Sequence, residues 1–167
     1  FAKSMAGIGA FVAGNKDMID YLAYNMRSQI YAKSLPMPMV IGALKRLELL
    51  QSKPELREKL WTIVRALQKG LKEKEFNIGK AESPVTPVIL SGGVQEATNI
   101  VYDLRENYNL FCSMVVYPVI PKGMILLRII PTSVHTLEDV DYTVKCFTEV
   151  AEKLKAGKYS KEEYAPV

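Results

Sequence analysis

The hydrophobic pattern of this chain changes period near Phe76, and that change restricts the folds open to it. Before it, apolar residues recur at three- and four-residue spacing; after it, short apolar runs alternate with amphipathic stripes. Residues 85–91, VTPVILS, predict a strand, and Pro87, which cannot donate to a ladder, argues for a sheet edge or a bulge. Gly92 and Gly93 break it, and Val94, Ala97, Val101 and Leu104 then mark a helix to about Asn107. Two more strands are predicted over residues 110–117 and 124–130, joined by the turn PVIPKG. Thr136, with Asp139 three residues on, forms a capping box for a last helix with its stripe at Leu137, Val140, Val144, Phe147, Ala151 and Leu154. Strand, helix, strand, strand, helix is an α+β order: a small, mostly antiparallel sheet with helices covering one face. The polar tail from Gly157 is expected to be loose.

Upstream, residues 8–14 read as a short buried strand bounded by glycines. Asn15 caps a helix with Met18, Ile19, Leu22 and Met26 on one face, ending near Arg27. In RSQIYAKSLPMPM, Pro36 and Pro38 force extended backbone before them and predict an apolar loop. Helical spacing resumes from Met39 with Val40, Leu44, Leu47 and Leu50. Ser52 and Glu55 predict a capping box around Pro54, opening a longer helix that turns Leu56, Leu60, Ile63, Leu67 and Leu71 inward.

Length and charge narrow the classes. At 167 residues the chain can hold one full domain, or a domain and an appendage. Its lysines are spread along helical faces, so the net charge of +4 makes no basic patch with interleaved aromatics, and no nucleic-acid partner is expected. No apolar run reaches membrane-spanning length, so no integral membrane segment is expected. Cys112 and Cys146 lie far apart, without a CxxC or a nearby histidine. They predict buried, reduced thiols and a cytoplasmic protein. There is no basic leader before an apolar stretch, so no signal peptide is expected; a start at Phe1 in place of methionine predicts a piece of a longer polypeptide.

Two residues carry chemistry. Lys3 sits among Ala2, Ser4, Ala6 and Gly7, small neighbours that let a planar ring come close to the backbone. It is either a solvated lysine or an amine able to form Schiff bases with carbonyls, pyridoxal phosphate included. Arg128 lies inside MILLRII, a run that otherwise reads as fully buried, where a guanidinium needs an anionic partner. That partner is an acidic side chain elsewhere or a ligand carboxylate held bidentately. His135, the single histidine, reads as a hydrogen-bonded turn residue. No Ser/His/Asp set, phosphate loop or metal-ligand spacing is present, so hydrolase, nucleotidase and metalloenzyme readings lack support.

FAKSMAGIGAFVAG resembles the cofactor-lysine segment of the α-oxoamine synthases, usually T-F-S-K-[SA]-x-[GA]-x-x-G-G. IYAKSLPMP is similar to that family's F-[ST]-x-S-L-P-P loop, and LLRIIPTSVHT to its R-x-x-x-x-x-x-H-T. With three motifs in the family's order and near its spacings, the chain is identified as a member, matching the C-terminal portion only. The resemblance implies a fold-type I pyridoxal phosphate enzyme, a homodimer, that condenses an amino acid with an acyl-CoA. It implies that Lys3 holds the cofactor, that Arg128 binds the amino-acid carboxylate, and that Ser34 approaches the cofactor phosphate across the dimer interface. Residues 1–51 would then be a remnant of the cofactor-binding large domain, and residues 52–167 the small domain.

The chain departs from the family pattern in places. Ala32 and Lys33 stand where the family often has Ser or Thr, so the phosphate contact falls to Ser34, a backbone N–H or the Lys33 ammonium. Ala10 replaces the family's second glycine. The family's other half supplies the aspartate on the pyridinium nitrogen, the histidine stacked on the ring and most of the CoA site. This chain alone is therefore expected to be inactive. Within the family, IYAKSLPMP and MVVYPVIPKG most resemble the bacterial serine palmitoyltransferases, with glycine C-acetyltransferase and 8-amino-7-oxononanoate synthase as alternatives. A non-catalytic α+β binding or dimer-forming module is the alternative of a different class.

Overall fold

The computed structural model describes residues 1–160. It divides into two units, Phe1–Pro54 and Glu55–Val167, each of which is taken by itself.

The first unit contains three helices, α1 (Lys16–Asn25), α2 (Arg27–Tyr31) and α3 (Met37–Ser52). Asn15 caps α1 as expected, its side chain accepting the Met18 N–H at 3.0 Å. The strand expected over residues 8–14 is not formed. Ile8, Phe11 and Val12 are exposed, and apart from the Phe1 amino group on the Gly9 carbonyl at 2.6 Å no described backbone bonds to the segment, so it lacks the ladder that a strand requires. The apolar loop is also shorter than expected. Its first residues wind into α2, and α3 begins at Met37 with Pro36 at its cap and Pro38 inside the first turn. N–H groups of the first turn have no intrahelical acceptor, so proline costs the helix nothing there. No residue of this unit is buried.

In the second unit, α4 (Pro54–Glu73) turns Ile63, Val64, Leu67 and Leu71 inward, while Leu56 stays exposed. The expected capping box at Ser52 is absent because Ser52 is the last residue of α3, and the residue before Pro54 is Lys53. Next come β1 (Thr86–Ser91), α5 (Val94–Glu106), β2 (Ser113–Val115), β3 (Met124–Ile129) and α6 (Leu137–Lys155). The sheet is antiparallel in the order β1-β3-β2. Pro87 lies on edge strand β1, where a missing N–H is tolerated. Strand β2 is shorter than residues 110–117 because the chain first closes α5: Asn109 adopts a positive φ of 51°, and the Leu110 N–H bonds back to the Leu104 carbonyl at 2.8 Å.

Register makes one sheet face apolar. Thr86 opposes Ile129, Val88 opposes Leu127 and Leu90 opposes Ile125. Against that face pack Leu67 and Leu71 of α4, Ile100 and Leu104 of α5, and Val144, Phe147 and Val150 of α6, all buried together with the free thiols of Cys112 and Cys146. Helices α4 and α6 touch where a Cβ on Gly70 would come within 2.9 Å of a Val144 methyl. The α+β class with one helix-covered face is thus the observed one. The capping box of α6 is also formed, with the Asp139 N–H on Thr136 Oγ1 at 3.2 Å and the Thr136 N–H on Asp139 Oδ2 at 2.8 Å. Among the described residues, no helix is long and apolar enough to cross a membrane.

The expectation of a loose tail from Gly157 is corrected as far as Ser160; residues 161–167 lie outside the described residues. Tyr159 is buried, and its carbonyl accepts from Asn99 Nδ2 at 2.8 Å. Its hydroxyl donates to Asp103, a buried carboxylate that also accepts from Lys153 Nζ at 2.7 Å and Asn107 Nδ2 at 2.6 Å. Burial alone would push the Asp103 carboxyl up. The hydrogen bonds from Lys153, Tyr159 and Asn107, with the Lys153 charge, outweigh it and hold the group below the usual carboxylate range.

Candidate active site

The first unit brings two of the three sequence motifs together. Residues 3–7 form a tight turn, closed by the Ala6 N–H on the Lys3 carbonyl at 2.9 Å and the Gly7 N–H on the Phe1 carbonyl at 3.0 Å. Ala6 carries a positive φ of 41°, a conformation that costs a residue with a Cβ about 1 kcal/mol. Just beyond, Gly9 has φ of 107°, and a Cβ there would lie 2.8 and 2.9 Å from the two Leu35 methyls. That contact lays the Ala32–Pro36 loop, which carries Lys33 and Ser34, against the Lys3 segment. Lys3, Lys33 and Ser34 are all exposed, and no described residue pairs with the Lys3 ammonium. A free amine beside backbone that lacks Cβ atoms can accept a flat carbonyl ligand.

Arg128 belongs to the second unit, and the sequence-based picture of its surroundings is corrected. Along β3 the side chains alternate, so Ile125, Leu127 and Ile129 are buried while Arg128 is exposed on the opposite face. The run looked buried on both sides because Met124 and Leu126, on the outer face, are apolar as well. Its guanidinium forms no ion pair with any described residue. Nε donates instead to Ser113 Oγ at 3.0 Å, directly across the β2–β3 pairing. This single bond orients the guanidinium plane and leaves its outer N–H groups available for a carboxylate. Ser113 was not legible in the sequence, because its role depends on a strand register that only the folded sheet defines.

His135 is the turn residue it was expected to be: Nδ1 accepts the Thr132 N–H at 2.9 Å. It borders a cleft of about 350 Å³ together with Phe111, Ile130 and Asp139. The Asp139 carboxyl is held low, first by the backbone N–H of Thr136 that it accepts, so its part here is that of a helix cap. Among the described residues, no cluster of His, Cys, Asp or Glu could hold a metal ion.

The chain matches the sequence profile of one family over most of its length. The sequence profile of that family, described as aminotransferase class I and II, matches residues 1–147. The chain belongs to the aminotransferase class I and II family. This aminotransferase-family chain is 62% identical over 159 residues to the cysteate-C-fatty acyltransferase of Capnocytophaga ochracea, covering 95% of the chain and 38% of that protein. It is 35% identical over 150 residues to the serine palmitoyltransferase of Sphingobacterium spiritivorum, covering 90% of the chain and 37% of that protein. A solved serine palmitoyltransferase with pyridoxal phosphate superposes with a TM-score of 0.82 at 28% identity, covering 93% of this family member and 39% of that structure. The α-oxoamine synthase resemblance thus agrees with acyltransferase relatives, and the chain spans less than two-fifths of their length.

Proposed function

We propose that the protein containing this chain is a pyridoxal phosphate-dependent acyltransferase that joins a fatty acyl group to the α-carbon of a small acidic amino acid, cysteate. One observation carries the choice of substrate: identity to a cysteate-C-fatty acyltransferase is 62% across 95% of the chain, against 35% to a serine palmitoyltransferase. Lys3 is the residue that would hold the cofactor, whose chemistry when bound is to act as an electron sink for a carbanion at the α-carbon. Its amine is exposed and makes no hydrogen bond or ion pair with any described residue, and Ser34 and Lys33 lie on the loop packed against its turn through Leu35 and Gly9, so the residues present fit the group. Ser34 and Lys33, laid beside it through Leu35, would take the cofactor phosphate, in the homodimer expected of this family. Arg128, fixed by Ser113, binds the amino-acid carboxylate. The α-carbon gives up its proton, a C–C bond forms to the acyl carbonyl carbon as the thioester C–S bond breaks and CoA leaves as its thiol, and the carboxylate departs as carbon dioxide with a proton returned to the α-carbon. The free, buried Cys112 and Cys146 support a cytoplasmic setting.

Serine with palmitoyl-CoA is the second reading, favoured by the likeness to solved serine palmitoyltransferase structures. Borohydride reduction of the complete protein loaded with pyridoxal phosphate, followed by peptide mapping, should place the label on Lys3; an unlabelled Lys3 refutes the assignment. Assay of the same protein with palmitoyl-CoA should give kcat/KM for cysteate at least tenfold above that for serine. The reverse order would make serine the substrate.

A further inference from the structure

The formal charge of the chain is unevenly placed. Residues 1–54 hold seven lysines and arginines against three acids, which accounts for the whole excess of +4, since the remaining residues carry fifteen of each sign. Two of the three acids are already engaged, Asp20 by Lys16 and Glu48 by Lys45. Arg46 on α3 has no such partner. It is half-buried and makes no hydrogen bond or ion pair with any described residue. It does not extend into solvent either. One turn back on the helix, a Cβ on Gly42 would lie 3.1 Å from Arg46 Nη1, so the side chain folds over the bare backbone of that glycine. The same nitrogen is 3.5 Å from where a Cβ on Gly7 would stand. Gly7 closes the turn that begins at Lys3. Two missing Cβ atoms thus let a guanidinium rest on the lysine turn, partly desolvated and without an acceptor, a costly arrangement unless an anion completes it.

We propose that Arg46 binds an oxyanion at the Lys3 turn, either the phosphate of the cofactor or the second acid group of a dianionic amino acid such as cysteate. The planar fork suits both, and it presents two parallel donors where a lysine presents one point charge. This rests on Lys3 as the cofactor lysine, and the experiment separates the two claims. In the complete protein, Arg46→Gln and Arg46→Lys are titrated with pyridoxal phosphate and with pyridoxal, following absorbance, and the KM for cysteate is measured alongside. Loss of a hydrogen-bonded charge should weaken binding of the group it holds roughly ten- to a hundredfold, with Arg46→Lys recovering part.

If the anion is the cofactor phosphate, Kd for pyridoxal phosphate rises in Arg46→Gln and Kd for pyridoxal does not. If it is the substrate's acid group, both Kd values hold and the KM for cysteate rises. Values all within twofold of the parent protein overturn the Arg46 proposal while leaving a labelled Lys3 intact. A parent protein that takes up no pyridoxal phosphate overturns the Lys3 assignment and the proposal with it. Should Arg46→Gln not fold, Gly42→Ala keeps the charge and displaces the guanidinium. A several-fold loss in the same titration supports the proposal, and no loss refutes it.

Discussion

Replacing Tyr159 with Phe removes one donor from Asp103 and leaves the ring in place. The hydroxyl is buried and its acceptor is a carboxylate, also buried, that keeps Lys153 and Asn107 as partners. A hydrogen bond to a charged group contributes about 1.5–3 kcal/mol, and the surviving donors hold the loss near the lower half, about 2 kcal/mol. Hydrogen exchange of the complete protein, followed by mass spectrometry on peptides from α5 and α6, should show protection falling about thirtyfold at pH 7. The pH dependence has a definite sign. Because the Asp103 carboxyl is held below its ordinary range, its contribution is complete above about pH 4 and is lost as the pH falls through the lower folded value. In Tyr159→Phe one of the lowering bonds is gone, so the acid limb starts at the same pH but is complete at higher pH, and the gap between the two proteins narrows on acidification. A loss below threefold at pH 7, or one that does not shrink toward pH 3, refutes the view that the tail is tied down through this carboxylate.

If Arg128 binds the amino-acid carboxylate, Arg128→Ala should raise the KM for the amino acid roughly tenfold or more in the complete protein, with unfolding little changed, since the side chain is exposed and among the described residues bonds only to Ser113; an unchanged KM would refute that role. Phe147→Ala empties the centre of the α+β core and should cost about 3–5 kcal/mol in urea unfolding, without the added loss of any polar partner. Burial pushes the Cys112 thiol up to about 11, so the residue should resist iodoacetamide at pH 8 in the native protein and react once urea unfolds it. Rapid native alkylation of Cys112 would contradict its place in the core.

The residues that were legible and those that were not differ in how far their partners lie along the chain. Thr136 and Asp139 meet within one helical turn, so the cap of α6 could be read directly; VTPVILS and MILLRII are short apolar runs bounded by turn residues, so β1 and β3 could be read as strands, though not their register. Residues 8–14 have the composition of a strand, yet a strand is a relation between two segments, and no described segment supplies its other side. Arg128 shows the same limit at a candidate site residue. MILLRII reads as buried all round because apolar residues occupy both faces, and only the single covering layer of helices decides that the even-numbered side chains look outward. Once that is known, the arginine no longer needs a buried counter-ion, and its free N–H groups become the feature to explain. Arg46 is the converse case. Nothing in the pattern KRLELL marks it, but Gly42 four residues earlier is a local signal, since glycine at that spacing clears the path for a long side chain to fold back along its own helix. Lys3, Ser34 and the two guanidinium groups share one property: none forms an ion pair with any described residue, and of the four only Arg128 has a described hydrogen-bond partner, Ser113. For a chain that spans less than two-fifths of its relatives' length, such groups indicate chemistry more directly than the completed core does, because packing explains Phe147 fully and explains Arg46 and Arg128 not at all.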